Sequence, residues 1–146
     1  MPRFGTGARA AGAGSTTLPS GSLYAGAAVS PRLREVGIFN TAAVAVAVKL
    51  VRLTTAGTQG AGLVEADQAV ADAVAASAAF NTHTGAPTLG DDLGYRTALA
   101  AAVGSGVIWT FGADGIAIPV GTGNGIGIII ATGTGQILDW YLVFDE

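Results

Sequence analysis

From residue 43 to 53, and again from 138 to 144, apolar side chains recur at every second position. Val44, Val46, Val48 and Leu50 fall on one face, with Ala43, Ala45, Ala47, Lys49 and Val51 opposite; Leu138, Trp140, Leu142 and Phe144 form a second such row. Only an extended chain puts residues two apart on a common side, so each run is a strand with one face turned to a core. Glycine sets the lengths of these runs, and there are 23 glycines among 146 residues. Over the last forty residues turns recur near every tenth position. Val107, Trp109 and Phe111 share a face, and Asp114-Gly115 supplies a pair that favours positive φ. Ile116, Ile118 and Val120 alternate next, with Pro119 marking an edge or a bulge. Gly121–Gly125 reads as a loop, Ile126–Ala131 as a strand and Gly133–Gly135 as another loop, while Leu33–Asn40 gives an earlier strand. The pattern predicts an all-β fold, a β-sandwich or jelly roll of about 7–10 short antiparallel strands.

Two stretches depart from that pattern. The run of Ala, Asp, Gln and Val within 66–78 holds good helix formers, with Val70 and Val74 one turn apart, and predicts one short helix; a strand over about 75–82 is the rival. Residues 81–94, with Gly85, Pro87, Gly90 and the pair Asp91-Asp92, read as a long surface loop. At the other end, residues 1–21 are mostly Gly, Ala, Ser, Thr and Pro. They predict an extended N-terminal arm, separate from a sandwich domain over 22–146.

Charge restricts the partners. Charged residues are 12% of the chain against about 25% in an ordinary soluble domain, so part of the surface is expected to be covered by protein. The net charge of -3 is unevenly placed. Residues 1–52 carry Arg3, Arg9, Arg32, Arg34, Lys49 and Arg52 against Glu35, a balance of +5. The remainder carries Arg96 against Glu65, Asp67, Asp72, Asp91, Asp92, Asp114, Asp139, Asp145 and Glu146, a balance of -8. Six basic residues dispersed over 52 positions make no cluster of the kind nucleic acid requires. The longest charge-free stretch, Gly115–Leu138, holds Pro119, Asn124 and many glycines and would span a bilayer badly as a helix. Neither nucleic acid nor a membrane is expected as a partner. No apolar signal segment follows Met1, and without cysteine the redox compartment is not marked.

The residues offer little chemistry. Gly121-Thr122-Gly123-Asn124-Gly125 has glycine at every second position, lacks a following Lys-Ser/Thr and runs into a strand, so it is not a phosphate loop. A nucleophile needs a base beside it, and the only histidine is His83, in a loop with no G-x-S-x-G in the chain. Asp91 and Asp92 lack the alternating spacing of a calcium loop and read as turn caps. Trp109, Trp140, Phe111 and Tyr141 could stack on a sugar, but strand alternation assigns most of them to a core. We expect no catalytic, metal-binding or cofactor-binding residues, and no enzyme.

Pro31–Thr41 and Val48–Thr58, followed by Asn81–Thr84, Asp91–Arg96, Gly106–Gly112 and the aromatic residue before Asp145-Glu146, resemble a family of small tailed-bacteriophage and prophage virion structural proteins of the decoration or minor capsid type. The similarity covers residues 23–146, and such proteins vary most in the segment that here reads 65–79. The resemblance implies a virion structural protein with no catalytic residues. Joined to the arm, the low charge and the division of charge, it leads to a capsid decoration (cement) or minor capsid protein, made in the host cytoplasm and carried on the virion. The expected partners are the major capsid protein or other virion proteins and further copies of itself, a trimer being favoured. The docking residues expected are Arg3, Phe4, Arg9, Leu18, Arg32 and Arg34. The alternative is a collar, tail or fibre component whose sandwich binds a glycan or a neighbouring protein.

Overall fold

The computed structural model describes residues 1–68 and 73–146. Their regular elements are all strands: β1 (Arg3–Arg9), β2 (Gly21–Tyr24), β3 (Arg32–Asn40), β4 (Val46–Leu53), β5 (Ala66–Asp67), β6 (Ala78–Asn81), β7 (Leu89–Leu99), β8 (Gly106–Thr110), β9 (Ile116–Ala117), β10 (Gly125–Thr132) and β11 (Leu138–Asp145). They form two antiparallel sheets. Sheet A runs β5-β1-β11-β3-β8, with β9 also paired to β3, and sheet B runs β6-β2-β10-β4-β7. Setting aside the two-residue strands and β6, successive strands cross from one sheet to the other, except that β4 and β7 are neighbours. That order is a jelly roll, and the all-β sandwich expected from the sequence is the fold observed.

The alternating residues explain why the sheets stack. Val36, Ile38, Leu142 and Phe144 from sheet A meet Val48, Leu50, Ile128 and Ile130 from sheet B in one core, each of these side chains at most 2% exposed. At about 25 cal/mol per Å² of apolar surface, burying each such side chain stabilises the fold by roughly 1.5–3 kcal/mol. The row predicted to begin at Val44 begins one step later. Val44 precedes β4 and is 51% exposed, whereas Val46, Val48 and Leu50 are buried.

Three expectations are corrected. Residues 1–21 are not an arm apart from the domain. Strand β1 pairs along its whole length with β11, from Arg3 opposite Asp145 to Arg9 opposite Asp139, and it also pairs with β5. The reason is Phe4, which is 1% exposed and stacks on Phe144 with ring centroids 5.5 Å apart; that burial outweighs the flexibility of the flanking glycines. No helix is present in the described part of 66–78, where Ala66–Asp67 is β5 and β6 begins at Ala78, in line with the rival strand; Val70 lies outside the described residues. Alanine's preference for helix is weak beside the pairing of Ala78–Asn81 with β2. Finally, the loop expected over 81–94 ends early, because β7 starts at Leu89 and pairs with β4. Its glycines misled: Gly94 sits at φ +82° next to an irregular register, a conformation glycine tolerates inside a strand.

The two sheets differ in what lies outside them. On the outer side of sheet B, Tyr24, Val51, Leu53 and Ile129 form a second apolar cluster, and Ala56, Phe80 and Leu89 pack onto it. The Tyr24 hydroxyl donates to the Thr55 carbonyl at 3.0 Å, and its ring stacks near His83 at 6.0 Å. Thr55 and Ala56, just after β4, therefore cover part of the outer side of sheet B. On the outer side of sheet A no second apolar cluster occurs among the described residues; Ile108 is 54% exposed, and Phe39, Tyr141 and Val143 are half-buried.

Candidate interaction surfaces

The residues expected to dock on a partner are held largely by this chain's own acids. Arg3 Nε donates to Asp145 Oδ1 at 2.7 Å and its Nη2 to Oδ2 at 3.1 Å, while Arg34 Nε lies 3.3 Å from the same carboxylate. Arg9 makes the equivalent two-pronged contact with Asp139, at 2.8 and 3.0 Å. Arg32 donates to the Asp114 carbonyl at 2.9 Å and Arg34 to that of Ala113. These bonds hold the Asp145 and Asp139 carboxyls below the ordinary range, the hydrogen bonds from Arg3 and from Arg9 being the main causes. The contrast between a basic first third and an acidic remainder is thus largely met inside the fold. Arg3 and Arg34 come together at Asp145; Arg9 sits farther along sheet A, and Phe4 is in the core.

Leu18 belongs to a different place. The connections 10–20, 41–45, 100–105 and 133–137 meet at one end of the sandwich and contain no charged side chain. Buried Asn40 is their hub. Its Nδ2 donates to the Val44 carbonyl at 2.6 Å and to the Ala100 carbonyl at 3.2 Å, and its own carbonyl accepts from Gly104 N at 2.8 Å. Thr41 Oγ1 donates to the Ile137 carbonyl at 2.6 Å, and Ser15 O accepts from Ile130 N at 3.2 Å, bringing in the other two connections. Around this hub Val44, Ile137 and Val103 are exposed, Val103 by 71%. Sequence reasoning missed this end because no single loop looks unusual; the signal was the lack of charge in four connections that the topology gathers together.

His83, read as a loop residue, is 2% exposed. Its Nε2 is 2.8 Å from Ser22 Oγ, and Ser22 is wholly buried, so the two side chains are held together inside the domain. Burial is the main cause holding the imidazole below its ordinary pKa, with the Gly85 backbone opposing it. Asp92 is on β7, where Gly94 N donates at 2.8 Å, Arg96 Nη2 at 2.6 Å and Lys49 Nζ at 3.3 Å. These bonds, the Gly94 amide first, bring its carboxyl down to about 2. Its oxygens are engaged by donors, as a strand-surface ion pair requires, rather than gathered for a cation. Trp140 and Phe111 are buried and Trp109 packs against the core, which leaves Tyr141 as the half-open aromatic of that set.

Comparison with protein-family models, with curated proteins and with solved structures finds no match to this chain.

Proposed function

We propose that this chain is a virion structural protein of a tailed bacteriophage, a capsid decoration (cement) or minor capsid protein that sits on the major capsid protein and stabilises the particle. The observation that carries the reading is the charge-free end built around Asn40. Interface centres are depleted of charge, and an apolar end held rigid by hydrogen bonds loses little side-chain entropy when it is covered. The reading rests also on the sequence resemblance stated above.

Docking in this reading differs from the arm expected at first. Phe4 and Arg3 are engaged within the domain, so contact falls to Leu18 and the neighbouring Val44, Val103 and Ile137. Apolar burial supplies the attraction, at about 25 cal/mol per Å² before the costs of association.

The test is mass spectrometry of purified particles and of tail-less heads, with quantitation of a Val103→Asp variant. The protein is expected in heads, and the variant is expected to be depleted at least tenfold while keeping its circular dichroism spectrum. Absence from particles overturns the virion reading. Normal occupancy by the variant overturns the docking end.

A further inference from the structure

We propose that the outer face of sheet A is where copies of this chain associate with one another, the occupant being a second copy. The inference gives the expected homo-oligomer a surface. It rests on that part of the reading and not on the virion assignment.

The first observation is the difference between the two sheets. The outer cluster of sheet B, Tyr24, Val51, Leu53 and Ile129, is buried within the chain, each residue at most 2% exposed, whereas sheet A presents Phe39, Ile108, Tyr141 and Val143 outward. These four stand on neighbouring strands in register, since Tyr141 is opposite Gly37, Gly37 opposite Ile108, and Phe39 opposite Gly106. They form one strip across β11, β3 and β8.

Glycine then makes the strip flat. The Tyr141 ring occupies the space a side chain at Gly37 would need, and the Phe39 ring occupies that at Gly106. The two rings lie nearly parallel, 20° apart, with centroids at 6.4 Å. The Tyr141 hydroxyl donates to Glu35 Oε1 at 2.6 Å, which fixes its orientation, and burial followed by Glu35 pushes the phenol up to about 12. Laid-down aromatic rings with fixed rotamers offer large contact area at little entropic cost.

Charge decides the occupant. The strip is bounded at one end by Arg9 with Asp139 and at the other by Arg3 and Arg34 with Asp145 and Glu35. With Arg32 opposite Asp145 and beside Arg34, four cations face three anions, and each end shows both signs. A one-signed partner would gain little from such a rim. A second copy meeting it about a symmetry axis can set arginine against carboxylate at both ends, the self-complementarity that identical subunits require. Beside the strip a hollow of about 420 Å³, lined in part by Arg3, Glu35, Thr110 and Val143, can receive side chains of the neighbour.

The test is native mass spectrometry and light scattering of the full chain, with Ile108→Glu and Thr110→Arg as variants. Both positions are exposed on β8, so folding is expected to be kept, and thermal unfolding checks it. The unaltered chain is expected to be oligomeric, and each variant to raise the dissociation constant at least tenfold. A monomeric unaltered chain overturns the proposal and leaves the particle test of the virion reading untouched. An oligomer that tolerates both substitutions overturns this face as its interface, and sensitivity to Val103→Asp instead moves the interface to the charge-free end.

Discussion

Arg3 and Asp145, 142 positions apart, share two hydrogen bonds of 2.7 and 3.1 Å across the β1–β11 pair. Arg3 is the main cause of the low pKa of this carboxyl, and Arg34 adds to it. A carboxyl depressed on folding contributes stability that is complete above its unfolded value, about 3.9, and that fades as pH falls through the folded value. We expect the urea midpoint to fall between neutral pH and about pH 3, and to fall less in Asp145→Asn, which has already lost that contribution. Equal slopes in the two proteins would show that the pair does not couple to folding.

Phe4→Ala tests whether β1 is part of the domain. The ring is buried against Phe144, so truncation is expected to cost about 3–5 kcal/mol. Arg9→Ala, on the same strand but solvent-exposed, is expected to leave the unfolding midpoint nearly unchanged. Chemical denaturation measures both. If Phe4→Ala were as mild as Arg9→Ala, the strand would be dispensable and the first reading of an arm would return. Deleting residues 1–20 outright, by contrast, removes a strand of sheet A and cannot report on docking alone.

These residues mark where the sequence could be read and where it could not. The rows Leu33–Asn40, Val46–Leu53 and Leu138–Phe144 were legible because period-two burial is a local property, and the sandwich followed from them. Phe4 was not. One large apolar residue among glycines carries no periodicity, and its partner Phe144 lies at the far end of the chain. His83 was likewise read as a loop residue, although Ser22 and Tyr24 enclose it. Charge failed in a different way. The division at residue 52 suggested an external partner, yet Arg3–Asp145, Arg9–Asp139, Arg34–Asp145 and Lys49–Asp92 all cross it within one fold.

His83 makes the sandwich sensitive to mild acid. Its imidazole is neutral where it is buried, and its folded pKa lies below the ordinary 6.5 or so. The unfolded chain therefore takes up the proton first, and stability declines as pH drops below about 6.5. His83→Gln keeps a donor for Ser22 without the charge, and it is expected to flatten the decline in melting temperature between about pH 7 and pH 5.5. A decline of the same size in both proteins would assign the effect to other groups.

Gly21 is expected to refuse even a methyl group. A Cβ there would strike the indole of Trp140, which is 3% exposed and has nowhere to move. Overpacking of this kind costs about 1–3 kcal/mol. Gly112→Ala meets no atom within 4 Å, so its melting temperature should match that of the unaltered chain. Equal tolerance at the two sites would mean that Trp140 is not held against β2.

Strand β11 lies between β1 and β3 in sheet A, and that position governs when the protein can exist during its own synthesis. While residues 138–145 are still inside the ribosome, β1 and β3 have emerged with their shared partner missing, and their apolar faces stay open until β11 has emerged as well. At about 5–20 residues per second, synthesis from the end of β3 to the end of β11 takes on the order of 5–20 s. Chaperone protection and translation speed over this window would then bear on the yield of folded protein.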